Sequence, residues 1–340
     1  MLALALSGMC WIGVAGGAGT ASAQETQVNL KVSIWLPPTQ PIVTSAKEWL
    51  ASIEKASAGT VKGVVFPSEQ LGKAFDHYDM ARDGIADVTY VSPGYQPGRF
   101  PIINAPQLPF SIADGKKGSG AVDAWYRRYA ASEMKDTHFC LAFVQDPGAL
   151  HAKKKIVSPE EIRGMKIRPA NAIVGEYVTL LGGTNVQASA SESRDVLERG
   201  VADAITFPWN SLFLFGIDKV TKYHMDAPLY ASAFVWVMNK AKYEGMSPAQ
   251  KKVIDDHCTN EWALKFGGDW AAYEIQGRDK ARNASGHAVY SLTPEQLAAW
   301  RKAAEPLRAS WSESVRKTGA DPDAILADLK DHLAKYQAAY

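Results

Sequence analysis

The 340-residue sequence predicts an α/β protein built from two domains of related design. Three observations carry this. Strand-like and helix-like segments alternate through the first third, which argues for a largely parallel sheet covered by helices. A short motif occurs twice, "RDGIADV" at 82–88 and "ERGVADA" at 198–204. Each copy follows a helical pattern and opens a short strand, with glycine ending the helix and aspartate at the turn. Finally, 46% hydrophobic residues in a chain of this length are enough for one large or two medium cores.

In order, the chain opens with an apolar run, Leu2 to Val14, then small residues, then Ala21-Ser22-Ala23 before Gln24. That is the pattern of a secretory signal with an A-x-A cleavage site, so residues 1–23 are read as a signal peptide and the mature protein as periplasmic. The run is too short and too glycine-rich for a membrane anchor, and Met9 is too large to precede a lipidated Cys10. "GVAGGAGT" has neither a strand before it nor a helix after it, so it is not a phosphate loop. "VNLKVSIWL" then reads as a strand, "PIVTSAKEWLASIEKAS" as a helix, "TVKGVVF" as a strand, "LGKAFDHYDMARDG" as a helix and "IADVTYVS" as a strand. The last third is mostly helical. Ser247-Pro248 and Thr293-Pro294-Glu295 mark helix starts, and "DPDAILADLKDHLAKYQ" closes the chain with a short helix.

The charge balance, 37 Lys and Arg against 36 Asp and Glu, gives no reason to expect nucleic acid or an anionic membrane as partner. Function therefore has to come from a local site. The common enzyme signatures are absent: no H-E-x-x-H, Walker loop, G-x-S-x-G elbow or C-x-x-C pair occurs. His138, Cys140, His257 and Cys258 would make a metal site only if the fold joined them, and their spacing is not that of a structural zinc site. No cofactor and no metal is expected. Cys140 and Cys258 are either two buried thiols or a disulfide, and two cysteines do not decide between these.

Arg168 stands apart. In "SPEEIRGMKIRPAN" Ser158 can cap a turn, Pro159 suits its first position, Gly164 stops it, and "MKIRP" is a short strand ended by Pro169. Met165 and Ile167 share one face, Lys166 and Arg168 the other. An arginine closing an interior strand loses hydration unless a carboxylate or phosphate accepts its donors. It is either one half of an internal ion pair or a clamp for an anionic ligand, for which a planar guanidinium is well shaped. Ligands of open α/β sheets lie beyond the carboxyl ends of strands, a rule that points to Tyr90, Ser92 and Tyr95 in one half and to Phe207, Trp209 and Asn210 in the other.

"EEIRGMKIRPAN" followed by "LLGGTNVQASASESRDVLERGVAD", with "SEQLGKAFDHYDMARDGIADVTYVSPGY" and "FPIINAPQLPF" upstream, resembles the solute-binding proteins of tripartite ATP-independent periplasmic (TRAP) transporters. The likeness spans about residues 28–240. It implies a two-lobed clamp of the periplasmic-binding-protein type, with hinge strands between the lobes and a long C-terminal helix bracing both. Lobe I is expected to take residues 24–145 and about 232–275, lobe II about 146–231 and 276–340. The resemblance further implies that the clamp closes on an organic acid, that Arg168 is the carboxylate-binding arginine, and that the loaded receptor docks transiently on a TRAP membrane permease.

The sequence departs from the family pattern in ways that bear on the ligand. Phe207 stands where many relatives carry an asparagine before proline, and Trp209 is close by. "GALHAKKK" offers His151 where a second arginine is frequent, and Ser92 replaces a charged residue. One guanidinium among Trp35, Tyr90, Tyr95, Phe207, Trp209 and Phe234 favours a monocarboxylate with a hydrophobic or aromatic body, since rings reward burial and stacking. A sugar acid, keto acid or C4-dicarboxylate is the alternative, with Asn171, Asn210 and Ser92 taking hydroxyls. A periplasmic hydrolase or lyase, or a sensory adaptor, would be readings of another class; His151 alone supplies no partnered base.

Overall fold

The computed structural model describes residues 26–340, so the signal-peptide reading lies outside the described residues. Among the described residues there are eleven strands: β1 (Val28–Ser33), β2 (Val61–Phe66), β3 (Val88–Val91), β4 (Thr137–Val144), β5 (Gly148–Ala152), β6 (Lys166–Arg168), β7 (Thr184–Asn185), β8 (Ala204–Phe207), β9 (Tyr223–Tyr230), β10 (Ala233–Asn239) and β11 (Ala288–Tyr290). They form two mixed sheets, β2-β1-β3-β10-β4 and β11-β9-β5-β8-β6-β7. At one edge of each, three short parallel strands lie side by side: β1 pairs β2 and β3, and β6 pairs β7 and β8. An antiparallel pair follows, β10 with β4 in one sheet and β5 with β9 in the other.

The repeated motif explains the matching halves. In the first copy Asp87 accepts the backbone N–H of Lys31 at 2.7 Å and returns its own N–H to the Lys31 carbonyl at 2.9 Å. In the second copy Asp203 accepts from the Lys166 N–H at 2.9 Å and donates its N–H to the Lys166 carbonyl. Each aspartate thus locks the strand it opens to the strand beside it, β3 to β1 and β8 to β6. The carboxyl ends of four parallel strands, two from each lobe, consequently face one cleft.

The chain crosses between lobes twice as strand, from β4 to β5 and from β9 to β10. The crossings run side by side, and the Gln145 N–H donates to the Ser232 carbonyl at 3.2 Å between them. A third tie is the helix Asn260–Asn283. It packs on the helices Pro41–Ala56 and Gly115–Tyr126 of lobe I, and on Ser211–Leu214 and β11 of lobe II. Its buried stripe, Ala263, Phe266, Trp270, Glu274 and Gly277, follows the helical period. The sequence reads as one helix from Ser247 onward, but Thr259 caps a new one by accepting from the Trp262 N–H at 3.4 Å, so the bracing helix starts at Asn260.

The tail packs on both lobes. Pro294–Ala304 and Pro306–Arg316 pack on lobe II elements, but Pro322–Lys335 crosses back to Gly115–Tyr126. There Trp125 Nε1 donates to the Ile325 carbonyl at 3.3 Å, and a β-bridge joins Ile112 to Ala339. The stripe Ile325, Leu329 and Leu333 needs an apolar partner, and the Trp125 face of lobe I provides it.

Cys140 and Cys258 are bonded to each other, which settles the choice the sequence left open and removes both from any metal site. The bond ties β4 to the end of the helix Pro248–His257 across 118 residues. Closing a loop of that length restricts the unfolded chain strongly, so a Cys140→Ala/Cys258→Ala variant is expected to lose about 2–5 kcal/mol of stability. Chemical denaturation of the oxidised protein against this variant measures it, and equal midpoints would contradict the estimate.

Candidate functional site

Arg168 closes β6, where Gly164 (φ +76) ends the preceding turn in a conformation that disfavours other residues. Glu161 holds the same turn, accepting from the Val157 and Ser158 N–H groups at 2.6 and 2.9 Å. Met165 and Ile167 are buried in the core, Lys166 is exposed, and Arg168 is 1% exposed at the cleft. Among the described residues no carboxylate pairs with it. Its Nε donates to the Ala188 carbonyl at 3.0 Å and its Nη2 to the Tyr95 hydroxyl at 3.0 Å. Neither contact uses Nη1, so an interior cation keeps donors for an incoming anion.

Tyr95 comes from lobe I, and its hydroxyl also accepts the Ala190 N–H of lobe II at 3.1 Å. With both lone pairs taken, its proton remains to be donated. The lobes meet closely here: a Cβ added to Gly94 would lie 2.6 Å from Asn171 Cβ, so only glycine lets this turn approach.

Around Arg168 the wall is largely aromatic. The guanidinium carbon lies 5.5 Å from the centre of the Phe207 ring and 6.0 Å from that of Tyr95. Trp35, Phe215, Phe234 and Trp270 add to the ring lining, with Phe234 and Trp270 centroids 5.0 Å apart. Ser92, Gln145, Ser211, Tyr230 and Ser232 supply the polar lining. Of the residues expected from sequence, Arg168, Phe207, Tyr95, Trp35, Ser92 and Phe234 therefore meet in one cavity.

The other five sit outside it. Tyr90 forms a layer behind, stacked on Phe234 at 5.0 Å and beside Trp35 at 5.1 Å, because its side chain points into the sheet's buried face. Trp209 belongs to a separate cluster with Ala149 and Ala281, under the Arg278 guanidinium. Asn210 turns to the bracing helix, donating from Nδ2 to the Tyr273 carbonyl at 2.9 Å. Asn171 caps the helix Ala172–Leu180, accepting from the Val174 N–H at 2.9 Å, and its Nδ2 donates to Ser232 Oγ at 3.1 Å. It supports the lining from behind.

His151 is fully buried and turned away from the cavity in a chain of three histidines. Its Nε2 lies 3.0 Å from the Phe207 carbonyl, its Nδ1 2.9 Å from His224 Nδ1, and His224 Nε2 2.8 Å from His287 Nδ1. A carbonyl only accepts, so His151 carries its proton on Nε2, and each following ring must donate from Nδ1. All three are satisfied as neutral rings, and a further proton on His151 or His224 would set two N–H groups against each other.

Burial accordingly lowers the His151 pKa to about 4, and burial, helped by His151, His287 and Lys222, lowers that of His224 further. An unfolded histidine titrates near 6.5, so below that pH the unfolded chain takes up protons that the folded one refuses. Stability falls by about 1.4 kcal/mol per pH unit for each such ring until its folded pKa is reached. Glu133 and Asp146, raised by burial to about 7 and about 6, act in the opposite sense over the same range. Comparing wild type with His224→Gln isolates the histidine contribution. Melting curves from pH 7 to pH 4 should show the variant's deficit shrinking as pH falls, and a deficit independent of pH would contradict the chain.

Several lining residues escaped sequence reading. Trp270 and Ser211 are joined by Glu274, a fully buried carboxylate. It accepts the N–H groups of Asn210 and Ser211 at 2.6 and 3.0 Å, the Ser211 hydroxyl, and Trp270 Nε1 at 2.7 Å. Burial raises its pKa while these donors oppose the rise. The available signal was an acid in register with Phe266 and Trp270, at four-residue spacing, on an apolar helix stripe. Gln145, Tyr230 and Ser232 lie at the strand crossings, which no local pattern marks.

Two sheets hinged by paired strands, a bracing helix and a buried arginine in the cleft, without a carboxylate partner among the described residues, define a two-lobed solute-binding protein. The chain belongs to bacterial extracellular solute-binding protein family 7 (DctP), whose pattern matches residues 32–314, as the likeness to TRAP receptors implied. Its fold is close to several solved TRAP solute-binding proteins. One from a marine metagenome, described as specific for aromatic acid ligands and holding 3-hydroxybenzoate, is 32% identical with a TM-score of 0.85, over 92% of this chain and 99% of that one. One from Rhodoferax ferrireducens, with copurified benzoate, is 27% identical with a TM-score of 0.85 over the same shares. One from Bordetella bronchiseptica, with bound (R)- and (S)-mandelate, is 26% identical with a TM-score of 0.84, over 91% and 99%.

Proposed function

We propose that this protein is a periplasmic receptor for an aromatic monocarboxylate, which it delivers to a TRAP membrane permease. The observation that carries the reading is Arg168, a buried guanidinium without a carboxylate partner among the described residues, in a cavity walled by Phe207, Trp35, Phe234 and Trp270. One cation suits one carboxylate, and a second carboxylate would enter with no countercharge on the lining. The benzoate, 3-hydroxybenzoate and mandelate held by the similar structures support the same ligand class.

In the closed form the ligand carboxylate accepts from Arg168 Nη1 on lobe II and from the Tyr95 hydroxyl on lobe I. These contacts coexist only when the lobes are together, so the ligand favours closure through its differential affinity for that state. The rings of both lobes then exclude water from the ion pair and strengthen it. The Cys140–Cys258 bond suits an oxidising compartment. Thermal-shift screening of an organic-acid library tests the reading: aromatic monocarboxylates should raise the melting temperature, and stabilisation by C4-dicarboxylates or sugar acids alone would overturn it.

A further inference from the structure

We infer that lobe I carries a second recognition point in this cavity, where Trp35 Nε1 and Ser92 Oγ together bind an uncharged oxygen, hydroxyl or carbonyl, on the ligand's ring or α-carbon. The inference rests on the carboxylate reading above and narrows it to oxygen-substituted aromatic acids.

The observation is a concentration of unsatisfied polar groups. Trp35 Nε1, Ser92 Oγ, Gln145 Nε2 and the Tyr230 hydroxyl are buried without a hydrogen-bond partner among the described residues, and all four residues line the cavity. The residues are 4%, 2%, 3% and 1% exposed, so they are withdrawn from bulk solvent. Other buried indoles find acceptors: Trp49 donates to the His257 carbonyl at 2.8 Å and Trp311 to the Pro101 carbonyl at 2.8 Å. Trp236 also lacks a partner, but it packs in the core against Trp49 and Phe266. Ser92 precedes the turn Pro93–Tyr95 and could cap it, yet its side chain makes no cap bond. Unmet buried donors are costly, and their grouping in one cavity is accounted for when the ligand supplies the acceptors.

The four divide by position. Tyr230 and Gln145 stand at the strand crossings; Tyr230 feels the Arg168 charge, and its hydroxyl adjoins the Gln145 amide without reaching hydrogen-bond geometry. They belong to the carboxylate end. Trp35 and Ser92 follow β1 and β3 in the opposite lobe. An indole N–H only donates, so its partner must accept; a serine hydroxyl does either. A ligand hydroxyl accepts from Trp35 and donates to Ser92, and a carbonyl accepts from both. A second carboxylate is disfavoured, because among the described residues Arg168 is the only Lys or Arg on the lining. The same contact ties the far end of the ligand to lobe I, and so adds to closure.

Calorimetric titration with two sets of probes tests this: benzoate against 3-hydroxybenzoate, and phenylacetate against mandelate and phenylglyoxylate. In at least one set the oxygen-bearing acid should bind roughly ten- to a hundredfold tighter than its parent. Trp35→Phe, which keeps a ring, and Ser92→Ala should each shrink that ratio severalfold. Equal affinities within both sets, or a ratio that neither variant changes, would overturn the inference. Failure of the carboxylate reading looks different: none of the five acids binds, or Arg168→Ala binds them as well as wild type does.

Discussion

Replacing Arg168 by alanine is expected to weaken binding of an aromatic monocarboxylate by about 2–5 kcal/mol, roughly 30- to several-thousand-fold. Two terms add. The charge-assisted hydrogen bonds to Nη1 are lost, and the carboxylate is left buried without a countercharge. Arg168→Lys should recover only part of the loss, because an ammonium cannot keep the Ala188 carbonyl and the Tyr95 hydroxyl while also meeting the ligand. Calorimetry on both variants measures the effect. Affinity within threefold of wild type for Arg168→Ala would remove the arginine from the account.

Glu274→Ala is expected to cost about 3–5 kcal/mol of stability and to weaken ligand binding as well. The carboxylate is the acceptor for two backbone N–H groups, a hydroxyl and an indole, and truncation strands all four in a dry interior. Three of the donors belong to cavity residues, two on Ser211 and one on Trp270, and the fourth, the Asn210 N–H, joins the bracing helix to the loop after β8. Glu274→Gln retains one acceptor oxygen and should lose less. Chemical denaturation and calorimetry on the two variants separate the contributions, and a loss below 1 kcal/mol for Glu274→Ala would show the network to be dispensable.

Much of this was legible in the sequence, for physical reasons that can be named. The alternation of strands and helices and the "GIAD" and "GVAD" turns fixed the twin sheets, since each aspartate has one local task, locking its strand to the neighbouring one. Arg168 was legible because an arginine between Ile167 and Pro169 has few ways to be satisfied. Strand-end aromatics such as Trp35 and Phe207 were legible because parallel strands present their carboxyl ends to the ligand.

What the sequence misplaced depends on side-chain direction beyond the strand ends. Trp209 and Asn210 are only two and three residues past Phe207, yet the turn after β8 points them at Trp209's own cluster and at the bracing helix. His151 looked like a polar candidate from its place in the chain, but pairing with β8 and β9 puts it against His224. Tyr230, Gln145 and Trp270 reach the cavity through the crossings and the bracing helix. Their positions follow from how the lobes meet, which no short window encodes. The packing partner of the final helix is hidden for the same reason: its apolar stripe specifies that it packs, and only the assembled lobes specify where.

The most direct test of the central claim is a crystal structure of the protein with benzoate. A carboxylate oxygen should lie at about 2.9 Å from Arg168 Nη1, with the ring against Phe207 and between the Trp35 and Phe234 walls. A benzoate whose carboxylate is bound away from Arg168, or whose ring lies outside the cleft, would contradict it.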